Sequence, residues 1–187
     1  MIPIRNKKKT LEVTVEEMRN FAFFYIEKYA PSKQQIKIYL LKKYLKATTP
    51  NIKNKDIKNL IDLVLSDLEK NKFINDKFYS ESKARSMIQR GTSINKIRNY
   101  LFGKGINENF IKETVNKIKD DNSDQDFFSA IKICKKKRIG PARSVDNRPL
   151  FYKKDISLLA RNGFDFETSK KVMDIDSEDY IKIINFL

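Results

Sequence analysis

Residues Leu101–Ile111 read LFGKGINENFI, and residues Leu159–Ser169 read LARNGFDFETS. In both stretches a leucine is followed four residues later by glycine, then by a large apolar residue, and then by Asn or Asp. Glycine is the usual left-handed residue after a helix, and Asn or Asp is a favoured cap of the next helix. Each stretch therefore predicts two helices joined by a sharp turn, with one apolar side chain tucked between them.

The composition favours helices throughout the chain. The 187 residues include only five glycines and five prolines, too few for the many turns of an all-β fold. Apolar residues recur at helical spacing along most of the sequence. Because short helix trios cannot bury their own apolar faces, neighbouring trios must share a core. We predict an all-α protein, built as an elongated array of three tandem three-helix repeats.

The predicted array has four parts along the chain. A basic N-terminal tail covers residues 1–13, repeat 1 covers 14–72, repeat 2 covers 73–121, and repeat 3 with a basic insertion covers 122–187. The residues suited to begin helices are Thr14, Ser32, Asn75, Ser93, Asn107 and Asp165.

Two details of these repeats bear on function. Phe21, Phe24 and Tyr25 follow the apolar period of the first helix, which favours burial in the core over a role in base stacking. In repeat 3 the second helix is expected from Asp155 to Arg161, after a long basic connection that contains two prolines.

The residues of common catalytic sites are missing from the sequence. Histidine is absent and Cys134 is the only cysteine, which excludes a histidine base, a Ser–His or Cys–His nucleophile and the usual zinc sites. Cys134 lies at helical spacing from Ile131 and is interpreted as a core residue, although the adjacent lysines would activate the thiol if it were exposed. We expect no enzyme activity, no cofactor and no bound metal.

The sequence also predicts a cytoplasmic location. A single cysteine cannot form a disulfide within the chain, which fits a reducing compartment. No apolar run approaches the length of a membrane span, and the basic start has no apolar core of a signal peptide behind it. We therefore expect no membrane partner.

Positive charge dominates the chain. It has 39 Lys and Arg against 24 Asp and Glu, a net charge of +15. This surplus favours a polyanionic partner, either nucleic acid or an acidic protein face, although a lysine-rich proteome would also produce it. Nine basic side chains and one acid, Asp146, lie between Lys132 and Lys154. We interpret this segment as a binding surface rather than a solvated loop, because such crowded charges need a partner to offset their repulsion.

The candidate partner-binding residues lie in repeats 2 and 3. Those of repeat 2 are Lys83, Arg85, Arg90, Lys96, Arg98 and Lys104. Those of repeat 3 are Lys132, Lys135, Lys136, Lys137, Arg138, Arg143, Arg148, Lys153 and Lys154. Arg85 has the alternative of lying along the core edge with its stem buried. Reversal of Lys136, Arg138 and Arg143 to Glu is expected to weaken partner binding and leave folding intact, since exposed charges contribute little to stability.

Repeats 2 and 3 also resemble a known family. The residues concerned are Phe73–Asp76, Phe78, Arg90–Gly91, Ile97–Arg98, Leu101 and Lys104–Ile106 in repeat 2, and the stretches IGPAR (139–143) and ARNGF (160–164) in repeat 3. In this order they are similar to motifs of the RecX regulatory proteins, and the likeness extends over residues 14 to 176. Lys77 and Asn99–Tyr100 depart from the family's pattern, which usually has an arginine and an acidic residue there.

The resemblance implies a function. RecX proteins are not enzymes: they bind the filament that the recombinase RecA forms on single-stranded DNA, and they suppress its ATP hydrolysis, strand exchange and co-protease activity. The resemblance therefore implies a negative regulator of DNA recombination, repair and the SOS response. Its partner would be the RecA filament on single-stranded DNA, and direct contact with the DNA is an open alternative. We expect the protein to act as a monomer. The residues alone leave a second interpretation open, a stand-alone basic helical protein that binds nucleic acid.

Overall fold

The computed structural model describes residues 11–46 and 53–187, and these residues form ten α-helices and two short 3₁₀ turns, with no β-strand among them. The all-α prediction is confirmed. The predicted N-terminal tail lies outside the described residues except for residues 11–13. The division into three repeats stays a prediction.

The helices are short, and the chain groups them into two compact units. They are α1 (Val15–Tyr29), α2 (Lys33–Lys46), α3 (Asn54–Lys70), α4 (Asp76–Gln89), α5 (Ile94–Gly103), α6 (Glu108–Asp121), α7 (Gln125–Lys137), α8 (Arg148–Arg161), α9 (Phe166–Met173) and α10 (Ser177–Phe186). The first unit ends at Tyr79 and the second covers Ser80–Leu187, so the boundary falls within α4. Among the described helices, none is both long and apolar enough to cross a membrane.

The first two helices begin at the predicted side chains. The Thr14 hydroxyl accepts a hydrogen bond from the Glu17 N–H at 3.2 Å. At α2 the Ser32 hydroxyl accepts from the Gln35 N–H at 3.3 Å, while the Gln35 side-chain oxygen accepts from the Ser32 N–H at 3.1 Å. This reciprocal pair is a capping box, which satisfies two N–H groups that have no partner inside the helix.

The core of the first unit is a cluster of buried side chains that joins α1, α2 and α3. Its members are Met18, Ala22, Ile36, Leu40, Tyr44, Ile57, Ile61, Val64, Leu65, Leu68 and Ile74. Full burial of one large aliphatic side chain contributes about 1.5–3 kcal/mol, so this cluster holds the unit together. The predicted burial of Phe24 is wrong, since this side chain is 61% exposed. The inward face of α1 is centred on Met18 and Ala22, one turn apart, and Phe24 projects away from it.

The two stretches that open the sequence analysis form the predicted turns. Gly105 has φ 72° and Gly163 has φ 86°, the left-handed backbone that favours glycine. The apolar residues between the helices, Ile106 and Phe164, are each 4% exposed. A Cβ atom on Gly163 would lie 2.5 Å from the Ser93 hydroxyl oxygen. Only glycine therefore lets the turn between α8 and α9 pack against the start of α5.

A second core cluster joins α7 to the helices that follow it. Its buried members are Ala130, Ile131, Ile133, Cys134, Ile139, Leu159, Phe164, Val172 and Met173. Cys134 is 0% exposed, and burial raises the pKa of its thiol to about 12. The thiol therefore stays protonated at neutral pH, and its interpretation as a core residue is confirmed.

Helix α8 begins at Arg148, so its predicted start at Asp155 is wrong. Pro149 occupies the first turn of α8. The N–H groups of a first turn have no acceptor inside the helix, so proline loses no hydrogen bond there, and its fixed φ suits the helix. The basic connection is correspondingly shorter than predicted. It consists mainly of two 3₁₀ turns, Gly140–Ala142 and Val145–Asn147.

Candidate polyanion-binding site

Four basic side chains of the second unit converge on one cavity. Its volume is about 340 Å³, and its lining consists of Arg90, Lys132, Lys135 and Lys136 with Gln89, Ile184 and Leu187. We call the four basic residues the basic pocket. All four belong to the candidate binding residues of the sequence analysis, whereas the neutral lining residues do not.

The basic pocket forms where the turn after α4 meets α7. Lys132, Lys135 and Lys136 are spaced three and four residues apart on α7 and so share one face. Gly91 has φ 77°, and a Cβ atom there would lie 2.9 Å from the Lys132 Cβ. The backbone therefore turns directly against α7, and Arg90, the preceding residue, is held beside the lysines.

The charges of the basic pocket lack a counter-charge inside the described chain. No acidic residue lines the cavity, and within residues 11–46 and 53–187 no ion pair neutralises any of the four cations. Lysines in the last turn of α7 stabilise that helix by about 0.3–1 kcal/mol each, because they interact with the partial negative charge at its C-terminal end. Arg90 follows the last residue of α4 and favours that helix end in the same way, but this leaves the repulsion among the four cations. Phosphate or carboxylate is the chemistry that offsets this repulsion.

Arg143 has an internal partner. Its Nε and Nη2 atoms donate to the two Asp155 carboxylate oxygens at 2.6 and 3.0 Å, and the Gly140 N–H donates to the same carboxylate at 2.9 Å. Asp155 is 1% exposed. Burial alone would raise the pKa of this carboxyl, but the hydrogen bonds from Arg143 and Gly140 hold its pKa below the ordinary value. The expectation that Arg143 can be reversed with folding intact therefore does not hold, because Glu there would face a buried carboxylate.

Arg148 also serves the interior of the second unit. Its guanidinium donates to the carbonyl oxygens of Pro141 and Ile175 at 2.7 and 3.1 Å, and to the Ser177 hydroxyl at 3.1 Å. These bonds tie the start of α8 to the 3₁₀ turn before it and to the start of α10. Since Ile184 of α10 lines the basic pocket, Arg148 helps to position one wall of that pocket.

The other candidate residues lie outside the basic pocket. Arg98 forms an ion pair with Glu108 at 2.6 Å, and the Lys96 ammonium donates to the Asn162 side chain at 3.1 Å. Arg85 lines a second, smaller cavity of about 210 Å³ between α4 and α6. Of the remaining candidate residues, two are half-buried, Lys83 and Lys104. Four are exposed: Lys137, Arg138, Lys153 and Lys154.

Comparison with known proteins identifies relatives over nearly the whole chain. No family model matches the chain. It is 29% identical over 173 residues to the regulatory protein RecX of Myxococcus xanthus, a match that covers 91% of each chain. It is 25% identical over 167 residues to the regulatory protein RecX of Agrobacterium fabrum, covering 89% of this chain and 87% of the relative. The chain is therefore similar to RecX regulatory proteins over nearly its whole length.

A solved RecX structure has the same fold. The crystal structure of a regulatory protein RecX is similar with a TM-score of 0.59 at 20% identity, covering 86% of this chain and 74% of that chain. In this chain the stretch IGPAR is structural, because Gly140 and Arg143 both donate to Asp155. The family-like stretches thus build the scaffold. Of the basic pocket, only Arg90 lies in such a stretch.

Proposed function

We propose that this chain binds the RecA filament on single-stranded DNA and inhibits its ATPase, recombinase and co-protease activities. The observation that supports the proposal is the match to a regulatory protein RecX over 91% of both chains. In this role it is a cytoplasmic, monomeric regulator of recombination, repair and the SOS response, and not an enzyme.

The basic pocket is the contact surface we propose for the filament. Its four cations present donors that suit the phosphates of DNA or an acidic face of RecA. Further exposed cations of the second unit are Lys137, Arg138, Lys153 and Lys154. The net charge of +15 speeds the encounter with a polyanionic filament, and this contribution weakens as salt rises.

The decisive experiment is the RecA ATPase on single-stranded DNA, titrated with this protein. We expect a lower rate at substoichiometric protein, because a bound chain blocks the addition of further RecA protomers. An unchanged rate at equimolar protein and RecA refutes the proposal.

A second arm separates filament binding from competition for DNA. The titration is repeated on filaments formed beforehand and with DNA in excess over RecA. Inhibition that persists supports filament binding. Inhibition that disappears, together with tight DNA binding in the absence of RecA, favours a stand-alone nucleic-acid-binding protein.

A further inference from the structure

The seam between α1 and α2 in the first unit carries a row of tyrosines. The rings of Tyr25 and Tyr39 stack with 4.3 Å between centroids and 8° between planes. Tyr29, one turn after Tyr25, lies 4.9 Å from the Tyr25 ring at a tilt of 49°. Tyr29 is 54% exposed, so the row of Tyr25, Tyr29 and Tyr39 opens to solvent at one end. We call these three residues the tyrosine row.

An exposed phenylalanine and a lysine come directly before Tyr25 and Tyr29 on α1. Phe24 is 61% exposed, and Lys28 follows it by one helical turn. The Lys28 ammonium lies 5.3 Å from the centroid of the Tyr29 ring. Packing of α1 against α2 accounts for the half-buried Tyr25 and Tyr39. It does not account for Phe24 and Tyr29, which place large apolar rings in water.

The charge around these rings is mostly positive. Helix α2 contains five lysines and no acidic residue. Lys42 and Lys46 are exposed and follow Tyr39 by three and seven residues, which places them on the same side of the helix. Glu27 is the only acidic residue in the last three turns of α1. Burial, with smaller contributions from Tyr25 and Tyr29, raises the pKa of Tyr39, so its hydroxyl stays neutral.

We propose that Phe24 and the tyrosine row form a stacking site for the bases of single-stranded nucleic acid, with Lys28, Lys42 and Lys46 beside its phosphates. Aromatic rings next to a cationic path are how proteins hold single strands without reading their sequence. The lysines favour nucleic acid over an apolar protein face. The site extends the direct DNA contact of the proposed function to the first unit, and it is testable without RecA.

The test compares two single strands that differ only in their bases. The full-length protein is titrated with labelled poly(dT) and with an abasic strand of equal length, and binding is read by fluorescence anisotropy. We expect wild type to bind poly(dT) more tightly than the abasic strand. The double variant Phe24→Ala, Tyr29→Ala should lose about tenfold in affinity for poly(dT), equal to about 1.4 kcal/mol, and keep its affinity for the abasic strand.

Intrinsic fluorescence supplies a second readout. The chain has eight tyrosines and no tryptophan, so quenching by poly(dT) reports on tyrosine rings alone. Tyr29→Ala should reduce this quenching, and Tyr29→Phe should restore the anisotropy affinity because it keeps the ring. The matched control is Phe166→Ala, an aromatic that is 63% exposed between Asp165 and Glu167, which should leave both affinities unchanged.

Three results would overturn the stacking site. One is equal affinity of wild type for poly(dT) and the abasic strand, which means that phosphates alone are bound. Another is the same loss in the Phe166→Ala control. The third is a double variant that binds both strands normally but inhibits the RecA ATPase less, which assigns the rings to a protein partner. Failure of RecA inhibition in wild type, by contrast, concerns only the proposed function.

Discussion

Two parts of the basic segment Lys132–Lys154 hold similar charge and use it differently. We call the lysines at its start the open end, and Arg143 with Arg148 the internal end. At its start, three lysines face a cavity that no acidic residue lines. Further along, Arg143 is closed onto Asp155, a carboxylate with 1% exposure. The difference comes from that one carboxylate, which lies directly after the segment and needs a partner once it is buried. The partner available to each cation, rather than the density of cations, decides its role.

The internal end of the segment also shapes the open end. Arg148 bonds to the start of α10 through Ile175 and Ser177, and α10 supplies Ile184 to the lining of the basic pocket. Arg148 is therefore a positioning residue for the pocket. Loss of Arg148 should act on stability first and on binding through the pocket wall.

The largest effect is expected from Arg143→Ala. The change leaves the Asp155 carboxylate buried with only the Gly140 N–H as donor, at a cost of about 3 kcal/mol. Urea unfolding followed by circular dichroism measures the free energy of unfolding. The control at the open end is Lys136→Ala, which should change it by less than about 0.5 kcal/mol. Equal effects of the two changes would remove the distinction between the two ends.

Reversal of the charges in the basic pocket should mainly weaken binding to the RecA filament. The triple variant Arg90→Glu, Lys135→Glu, Lys136→Glu is expected to bind the RecA filament about a hundredfold more weakly, at about 1 kcal/mol for each contact. Anisotropy with labelled single-stranded DNA coated by RecA measures this affinity, and unfolding should change little.

The matched control for that variant reverses three exposed lysines elsewhere. Lys55→Glu, Lys58→Glu, Lys112→Glu makes the same change in net charge at exposed positions. We expect this control to keep most of the affinity. If both triple variants weaken binding equally, net charge is the cause, and the basic pocket is not a specific surface.

Gly91→Ala should damage both properties by a smaller amount. The left-handed backbone costs an ordinary residue about 1–2 kcal/mol, and the new Cβ would lie 2.9 Å from the Ser129 carbonyl oxygen. Stability should fall, and filament binding should weaken because Arg90 moves away from α7. Gly103→Ala is the control, since a Cβ there meets nothing within 4 Å. A loss at Gly103 as large as at Gly91 would contradict this role for the turn.

The smallest expected effect is on the dependence of stability on pH. The pKa of Asp155 lies below its ordinary value of 3.8 in the folded chain, so this group stabilises the fold above that value. Its contribution is lost as the pH falls through the lower, folded pKa. Asp155→Asn should therefore lose less stability between neutral and strongly acidic pH than wild type does, by urea unfolding at each pH. An identical loss in both proteins would show that Asp155 does not contribute in this way.

Local rules account for most of the correct predictions. The caps at Thr14 and Ser32 and the glycine turns at Gly105 and Gly163 all depend on contacts within a few residues. A pattern of neighbours is enough to identify them. The error at α8 has a different origin: the sequence pattern places Pro149 in the connection, whereas a proline in the first turn begins a helix as readily as it ends one.

Prediction of the site was weaker because contacts between different helices decide which cations are open. The lysines of α7 are visible in the sequence as charge, and so are Arg143 and Arg148. Arg143 is closed because packing buries Asp155 of α8, and Arg148 is closed because the chain before α10 lies beside the start of α8. The exposure of Phe24 depends likewise on which face of α1 meets its neighbours, and helical spacing alone leaves that face uncertain by a residue or two.

The order of the amino acids is sufficient for the helical class, most helix ends, the excess of positive charge and the likeness to RecX proteins, since each depends on composition or on residues close in the chain. Packing was needed to bring Arg90 beside the lysines of α7, to pair Arg143 with Asp155, and to leave Tyr29 and Phe24 in solvent. Burial and charge pairing in these places join residues on different helices. Their free energy depends on distances that are set only when the helices pack together.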